Sequence, residues 1–157
     1  MSEAINRGRL SYWIKTLLSG KPHFIVGDSE SPYLYRWFLI PRNRFLNIYL
    51  HEFLRDDDDR ALHDHPWPSL SVCLRGGYDE QTDAGTKRFR VGSIKYRPAT
   101  YRHRVIVSAI GRPAWTLFIT GPRVREWGFW CPKGFVHWQE FCDPTDGGQV
   151  GKGCGEP

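Results

Sequence analysis

The apolar positions of this chain change period once, near residue 22. Leu10, Trp13, Ile14, Leu17 and Leu18 recur at helical spacing within Ile5 to Leu18, and Gly20 and Pro22 close the run, so one amphipathic helix is predicted there. Beyond it the period becomes two. Short runs rich in aromatic and β-branched residues are His23–Val26, Tyr33–Ile40, Phe45–Leu54, Leu70–Leu74, Lys87–Val91, His103–Val107, Trp115–Thr120 and Trp127–Cys131. Turn signals separate them, among them Gly76-Gly77, Asp83-Ala84-Gly85, Gly111-Arg112-Pro113 and Gly121-Pro122. Many short strands with turns between them predict an all-β sandwich or barrel. The expected organisation is a helical start over 1–21, a barrel over 22–142 and a glycine-rich, loosely held tail over 143–157.

Three runs alternate clearly enough to assign faces. Between Arg44 and Arg55, Phe45, Asn47, Tyr49, His51 and Phe53 share one face and Leu46, Ile48, Leu50, Glu52 and Leu54 the other; the first is an aromatic wall with polar tips. His51 is a candidate general base, substrate contact or fourth metal ligand on that wall, with a surface histidine as the alternative. From Thr100 to Val107, Tyr101, His103, Val105 and Val107 share a face, which turns His103 inward among apolar neighbours. In the third run Leu70, Val72 and Leu74 alternate with Ser71, Cys73 and Arg75, and the leucine face is expected to look into the core. Pro66 and Pro68 donate no ladder hydrogen bonds, so that strand is expected to be interrupted before it starts.

Upstream of the prolines stands His63-Asp64-His65. On an extended strand its two imidazoles lie on one face about 7 Å apart at the backbone, and together with His103 they can converge on one divalent ion while leaving its far side open. Asp64 has the opposite parity and is expected to support the site without coordinating, with Trp67 walling it.

These segments resemble the two motifs of the cupin superfamily, His-x-His-x3-4-Glu-x6-Gly and Gly-x5-Pro-x-Gly-x2-His-x3-Asn. Here they read His63-x-His65 with a strand ending at Gly76-Gly77, then Gly92-x5-Pro98-x4-His103. Ser69 or Leu70 stands at the usual glutamate, with the strand pattern favouring Leu70; Thr100 replaces the usual glycine and Val107 the usual asparagine. The resemblance implies a cupin-like jelly-roll β-barrel with a metal held by His63, His65 and His103. A ligand set without carboxylate is similar to that of the three-histidine thiol dioxygenases such as cysteine dioxygenase. It implies Fe(II), with Zn, Ni or Mn as alternatives, and oxidation of a small thiol or organic acid.

Composition bounds the remainder. A chain of 157 residues suits one core, and no apolar stretch approaches 18 residues, so no membrane span, no secretory signal and a cytoplasmic location are expected. Four cysteines, Cys73, Cys131, Cys142 and Cys154, form no paired Cys-x-x-Cys and are expected as free thiols; a second zinc at Cys131, His137, Cys142 and Cys154 matches no finger spacing. Asp56 to Asp59 lack the spacing and glycine of a calcium loop and read as a solvated turn.

Two other functional classes stay open. A net charge of +5, with Lys87, Arg88, Arg90, Lys95, Arg97, Arg102 and Arg104 in adjacent segments, suits nucleic acid or an anionic ligand, although no nucleic-acid motif accompanies it. A non-catalytic or sugar-type barrel is the other class, in which Tyr49, His51 and Tyr101 would serve proton transfer without a metal. A small-molecule ligand and a homodimer complete the expected partners.

Overall fold

The computed structural model describes residues 10–27, 30–57, 61–143, 145 and 150–155. Helix α1 is Leu10–Leu18; the earlier part of the expected helix lies outside the described residues. No α1 residue is fully buried, and the helix is tied on through Trp13, whose Nε1 donates to the Phe38 carbonyl at 2.7 Å. The buried His23 completes the joint, with one ring nitrogen 3.2 Å from the Trp13 carbonyl and the other accepting from Phe38 N.

The strands are β1 (Phe24–Gly27), β2 (Pro32–Phe38), β3 (Asn47–Phe53), β4 (Leu62–His63), β5 (Ser69–Arg75), β6 (Tyr78–Thr82), β7 (Gly85–Phe89), β8 (Ile94–Arg97), β9 (Arg104–Ile106), β10 (Ala114–Thr120), β11 (Gly128–Cys131) and β12 (Gly134–His137); α2 (Trp138–Phe141) follows. A six-stranded antiparallel sheet runs β1-β2-β3-β10-β5-β8. Two three-stranded sheets, β12-β11-β4 and β7-β6-β9, are linked by the paired backbones of His63 and His103, which exchange both N–H···O bonds at 2.9 Å. Tyr78, Phe89, Val105, Val107 and Ala114 form one core cluster, with Phe53 packed on it; Ala61, Phe129, Cys131, Phe141 and Cys142 form another. The β5–β6 turn depends on glycine: Gly76 has φ +77°, and a Cβ there would lie 2.2 Å from the Pro113 carbonyl oxygen.

The six-stranded sheet has unlike faces. Inward lie Tyr49 and His51 of β3, Thr116 and Thr120 of β10, and Ser69, Ser71 and Cys73 of β5, all buried. The expectation for β5 is therefore inverted, since Leu74 is 46% exposed and Leu70 and Val72 are only partly covered. The inner side of β5 carries hydroxyls because Ser71 Oγ accepts from the guanidinium of Arg97, itself 2% exposed on β8. Outward, the register makes two apolar rows. One is Trp37–Leu50–Leu117–Val72–Ile94 across five strands, the other Ile48–Ile119–Leu70–Tyr96 across four.

The thiol expectation is corrected for two residues, because Cys131 and Cys154 form a disulfide. Their Cα atoms are 5.5 Å apart, and the bond, with the Cys142–Val150 backbone bridge, ties residues 150–155 to β11 and α2 instead of leaving them loose. Cys73 and Cys142 are buried. Among the described residues no helix is long and apolar enough to cross a membrane.

Candidate metal centre

His63, His65 and His103 converge: each offers a ring nitrogen, and these atoms all lie within 4.8 Å of one another. Strand parity brings His63 and His65 to one side, with ring centroids 5.1 Å apart, and the His63–His103 backbone pair sets the third ring beside them at 4.9 Å from His63. The Nε2 atoms of His65 and His103 are 2.9 Å apart. A shared proton or a shared cation reconciles two such lone-pair atoms, and ligands at right angles on an ion about 2.1 Å away stand about 3.0 Å apart.

The far sides of two rings face carboxylates. Glu80 Oε1 lies 2.9 Å from His103 Nδ1, off the line of a well-aligned hydrogen bond, and Asp57 Oδ2 lies 3.6 Å from His63 Nδ1. Carboxylates behind imidazoles fix ring orientation and raise ligand basicity, an arrangement typical of metal-bound histidine. Glu80 is 1% exposed; Arg97 Nε donates to its Oε1 at 2.7 Å and Tyr101 Oη to its Oε2 at 3.0 Å. Burial by itself raises the Glu80 pKa, but the His103 contact and the Arg97 charge overcome it and hold it at about 2. Burial pushes His103 down to about 4 despite Glu80. His65 is driven well below the imidazole range by burial and then by its two histidine neighbours. Neutral imidazoles with free lone pairs are the form that binds metal, so the donor set fits a divalent transition ion.

The histidines open on a cavity of about 290 Å3 whose walls include Trp67, Phe118, Trp127 and Phe129. His51 and Arg36 also line it. Arg36 Nε donates to His51 Nε2 at 2.8 Å, so the His51 proton sits on Nδ1, a buried donor with no hydrogen-bond partner among the described residues. Burial and then the Arg36 charge keep His51 neutral, well below its ordinary pKa. No salt bridge from Arg36 to a carboxylate is found among the described residues, and burial lowers its pKa.

Of the other residues singled out in the sequence, Trp67 walls the cavity as expected. Asp64 is fully buried away from the histidines, accepting from Gly128 N at 3.0 Å and Trp130 Nε1 at 3.1 Å and pairing with Arg125 at 2.6 Å. Tyr49 stacks on His51 at 5.8 Å behind the cavity wall, and Tyr101 serves Glu80 from outside the cavity, its pKa pushed up to about 12 by burial and then by that carboxylate. Leu70 does not occupy the glutamate place of the cupin motif, because it faces the outer side of the sheet. The solvated-turn reading is corrected for Asp56 and Asp57: Asp56 accepts from Val107 N and Ser108 N, both at 2.7 Å, and Asp57 from Val105 N, while Asp58 and Asp59 lie outside the described residues. His137 caps α2 and lies 2.9 Å from Glu126, and Cys131 and Cys154 are bonded to each other, so these residues form no second metal site. Of the basic cluster, Arg88 pairs with Asp79, Arg97 with Glu80 and Arg102 with Asp83, and Arg104 donates to the Asp57 carbonyl.

Sequence reasoning missed Arg36, Asp57, Glu80 and Arg97. A lone arginine sharing parity with Leu34 and Phe38 was a usable signal for Arg36. Tyr-Asp-Glu-Gln-Thr of β6 reads as a loop, so Glu80 carried none.

No family model and no curated protein sequence matches the chain. Solved structures do. A candidate mannose-6-phosphate isomerase from Ralstonia eutropha JMP134 is 20% identical, with a TM-score of 0.52 over 62% of this chain and 91% of that one. A protein with a double-stranded β-helix domain from Klebsiella pneumoniae subsp. pneumoniae MGH 78578 is 14% identical, with a TM-score of 0.51 over 67% and 90%. HppE in its Fe(II) form is 15% identical, with a TM-score of 0.54 over 65% of this chain and 57% of that one. At these identities the likeness is one of fold: the chain shares a mostly β fold with these structures, one of them a double-stranded β-helix domain, and has a three-histidine cluster in its interior.

Proposed function

We propose that the chain is a metal-dependent cupin-type enzyme in which His63, His65 and His103 hold one divalent transition ion, Fe(II) first among them, and which oxidises a small thiol or organic acid. The observation that carries this reading is the convergence of three imidazoles at the wall of a cavity that also contains an arginine. Such an ion supplies Lewis acidity and, as iron, an electron for dioxygen chemistry. The chain supplies the remainder. Arg36 offers guanidinium donors that suit a carboxylate, and a desolvated cation with no carboxylate partner among the described residues favours an anionic ligand. His51 holds its proton on Nδ1, while Trp67, Phe118 and Trp127 give the cavity an apolar lining. Glu80, backed by Arg97 and Tyr101, fixes the His103 ring.

Elemental analysis of protein made in iron-supplemented medium is expected to give about one metal per chain. His63→Ala, His65→Ala and His103→Ala are each expected to lose it and His23→Ala to keep it; full occupancy in His103→Ala removes the proposed site. An oxygen-electrode screen of the iron form with small thiols and 2-oxo acids tests the reaction. Oxygen uptake no greater than that of free iron, combined with a melting temperature raised by a sugar or sugar phosphate, would replace oxidation with ligand binding.

A further inference from the structure

The outer face of the six-stranded sheet plays no part in the metal site, yet its two central rows carry no charge. Ile94 and Tyr96 at one edge are 67% and 62% exposed, and Ile25 at the other is 45% exposed. Strands spaced about 4.8 Å apart and seven residues long at about 3.3 Å per residue make this face about 24 by 23 Å. Two copies stacked on it would bury roughly 1,100 Å2, just above the approximately 1,000 Å2 that is the least a specific interface needs.

We propose that a second copy of this chain covers the face in an isologous dimer whose two-fold axis runs along β10. One observation selects a second copy: the charges at the rim are self-complementary. Trp115 pairs in register with Glu52 on one side and Arg75 on the other. A two-fold axis along β10 exchanges those sides, laying Glu52 of each copy over Arg75 of the other, Leu50 over Val72, and Leu117 over itself.

Sedimentation of the full-length chain at micromolar concentration tests the arrangement. The unmodified protein is expected to sediment as a dimer, and Leu117→Lys as a monomer with an unchanged circular-dichroism spectrum. Glu52→Arg is expected to raise the dissociation constant at least about tenfold by placing like charges opposite each other, and adding Arg75→Glu to restore it. Because the restored protein must fold, that pair stays informative if Leu117→Lys does not. A monomeric unmodified chain overturns the proposal, whether or not its face then binds lipid vesicles. A dimer indifferent to both Leu117→Lys and Glu52→Arg overturns it too.

Discussion

Strands β3 and β5 flank β10 in the same sheet, and both alternate cleanly, yet they turn opposite kinds of side chain inward. Strand β3 buries Tyr49 and His51, while β5 buries Ser69, Ser71 and Cys73 and turns Leu70, Val72 and Leu74 out. Periodicity divides a strand into two faces, but the sign of the division depends on what the interior contains. Beside β3 the interior is aromatic, with Phe38 tilted against Tyr49 and Phe118 stacked on it. Opposite β5 it contains the buried Arg97–Glu80 pair, which needs hydroxyl partners more than hydrocarbon. The polar interior at β5 is thus continuous with the histidine cluster through Glu80 and His103.

The largest expected effect comes from breaking that pair. Arg97→Met leaves Glu80 buried without its main cation and is expected to cost about 3–5 kcal/mol by urea denaturation. Arg88→Met removes the cation from the neighbouring Asp79, where the arginine is 46% exposed, and is expected to cost far less. Equal losses would end the distinction between the two sides of β6.

Acid should show the same polar interior in metal-free protein. His103 falls from 6.5 unfolded to about 4 folded, and Glu80 from 4.5 to about 2. Both folded values are depressed, so both contributions are complete above the unfolded values and are lost as pH falls. Stability is expected to decline from about pH 6.5 toward 4 through His103, then from about 4.5 toward 2 through Glu80, the latter amounting to about 3 kcal/mol. Thermal melts across this range check it: Glu80→Gln should remove the lower stage, and stability that rises on acidification contradicts the assignment.

Exchanging the faces of β5 sharpens the comparison with smaller effects. Ser71→Leu overpacks the interior and removes an Arg97 partner, for an expected loss of about 2–3 kcal/mol, whereas Leu70→Ser is expected to cost about 1 kcal/mol or less in dilute protein. Denaturant midpoints in the opposite order would return the leucine face to the core. Glu80→Gln keeps the shape behind His103 but removes the charge, and metal affinity measured by chelator competition is expected to fall about 10- to 100-fold.

Much of the molecule was legible from local pattern. The strand runs, the inward parity of His103 and the common side of His63 and His65 follow from a period of two, which needs no knowledge of the remaining chain. Strand β6 escaped because Tyr78-Asp79-Glu80-Gln81-Thr82 hides a carboxylate where the pattern demands an apolar residue. The disulfide escaped because Cys131 and Cys154 are 23 residues apart, and spacing alone does not bring two cysteines within bonding distance.

The sequence by itself determined the all-β class, the strand alternation and the parity of each histidine, because each is written in side chains within a few residues of one another. Tertiary structure decided which face of β5 is inside, which carboxylates stand behind the imidazoles and that Arg36 shares their cavity. Those outcomes depend on residues far apart in the chain, and burying a charge is tolerable only where a partner from another strand meets it.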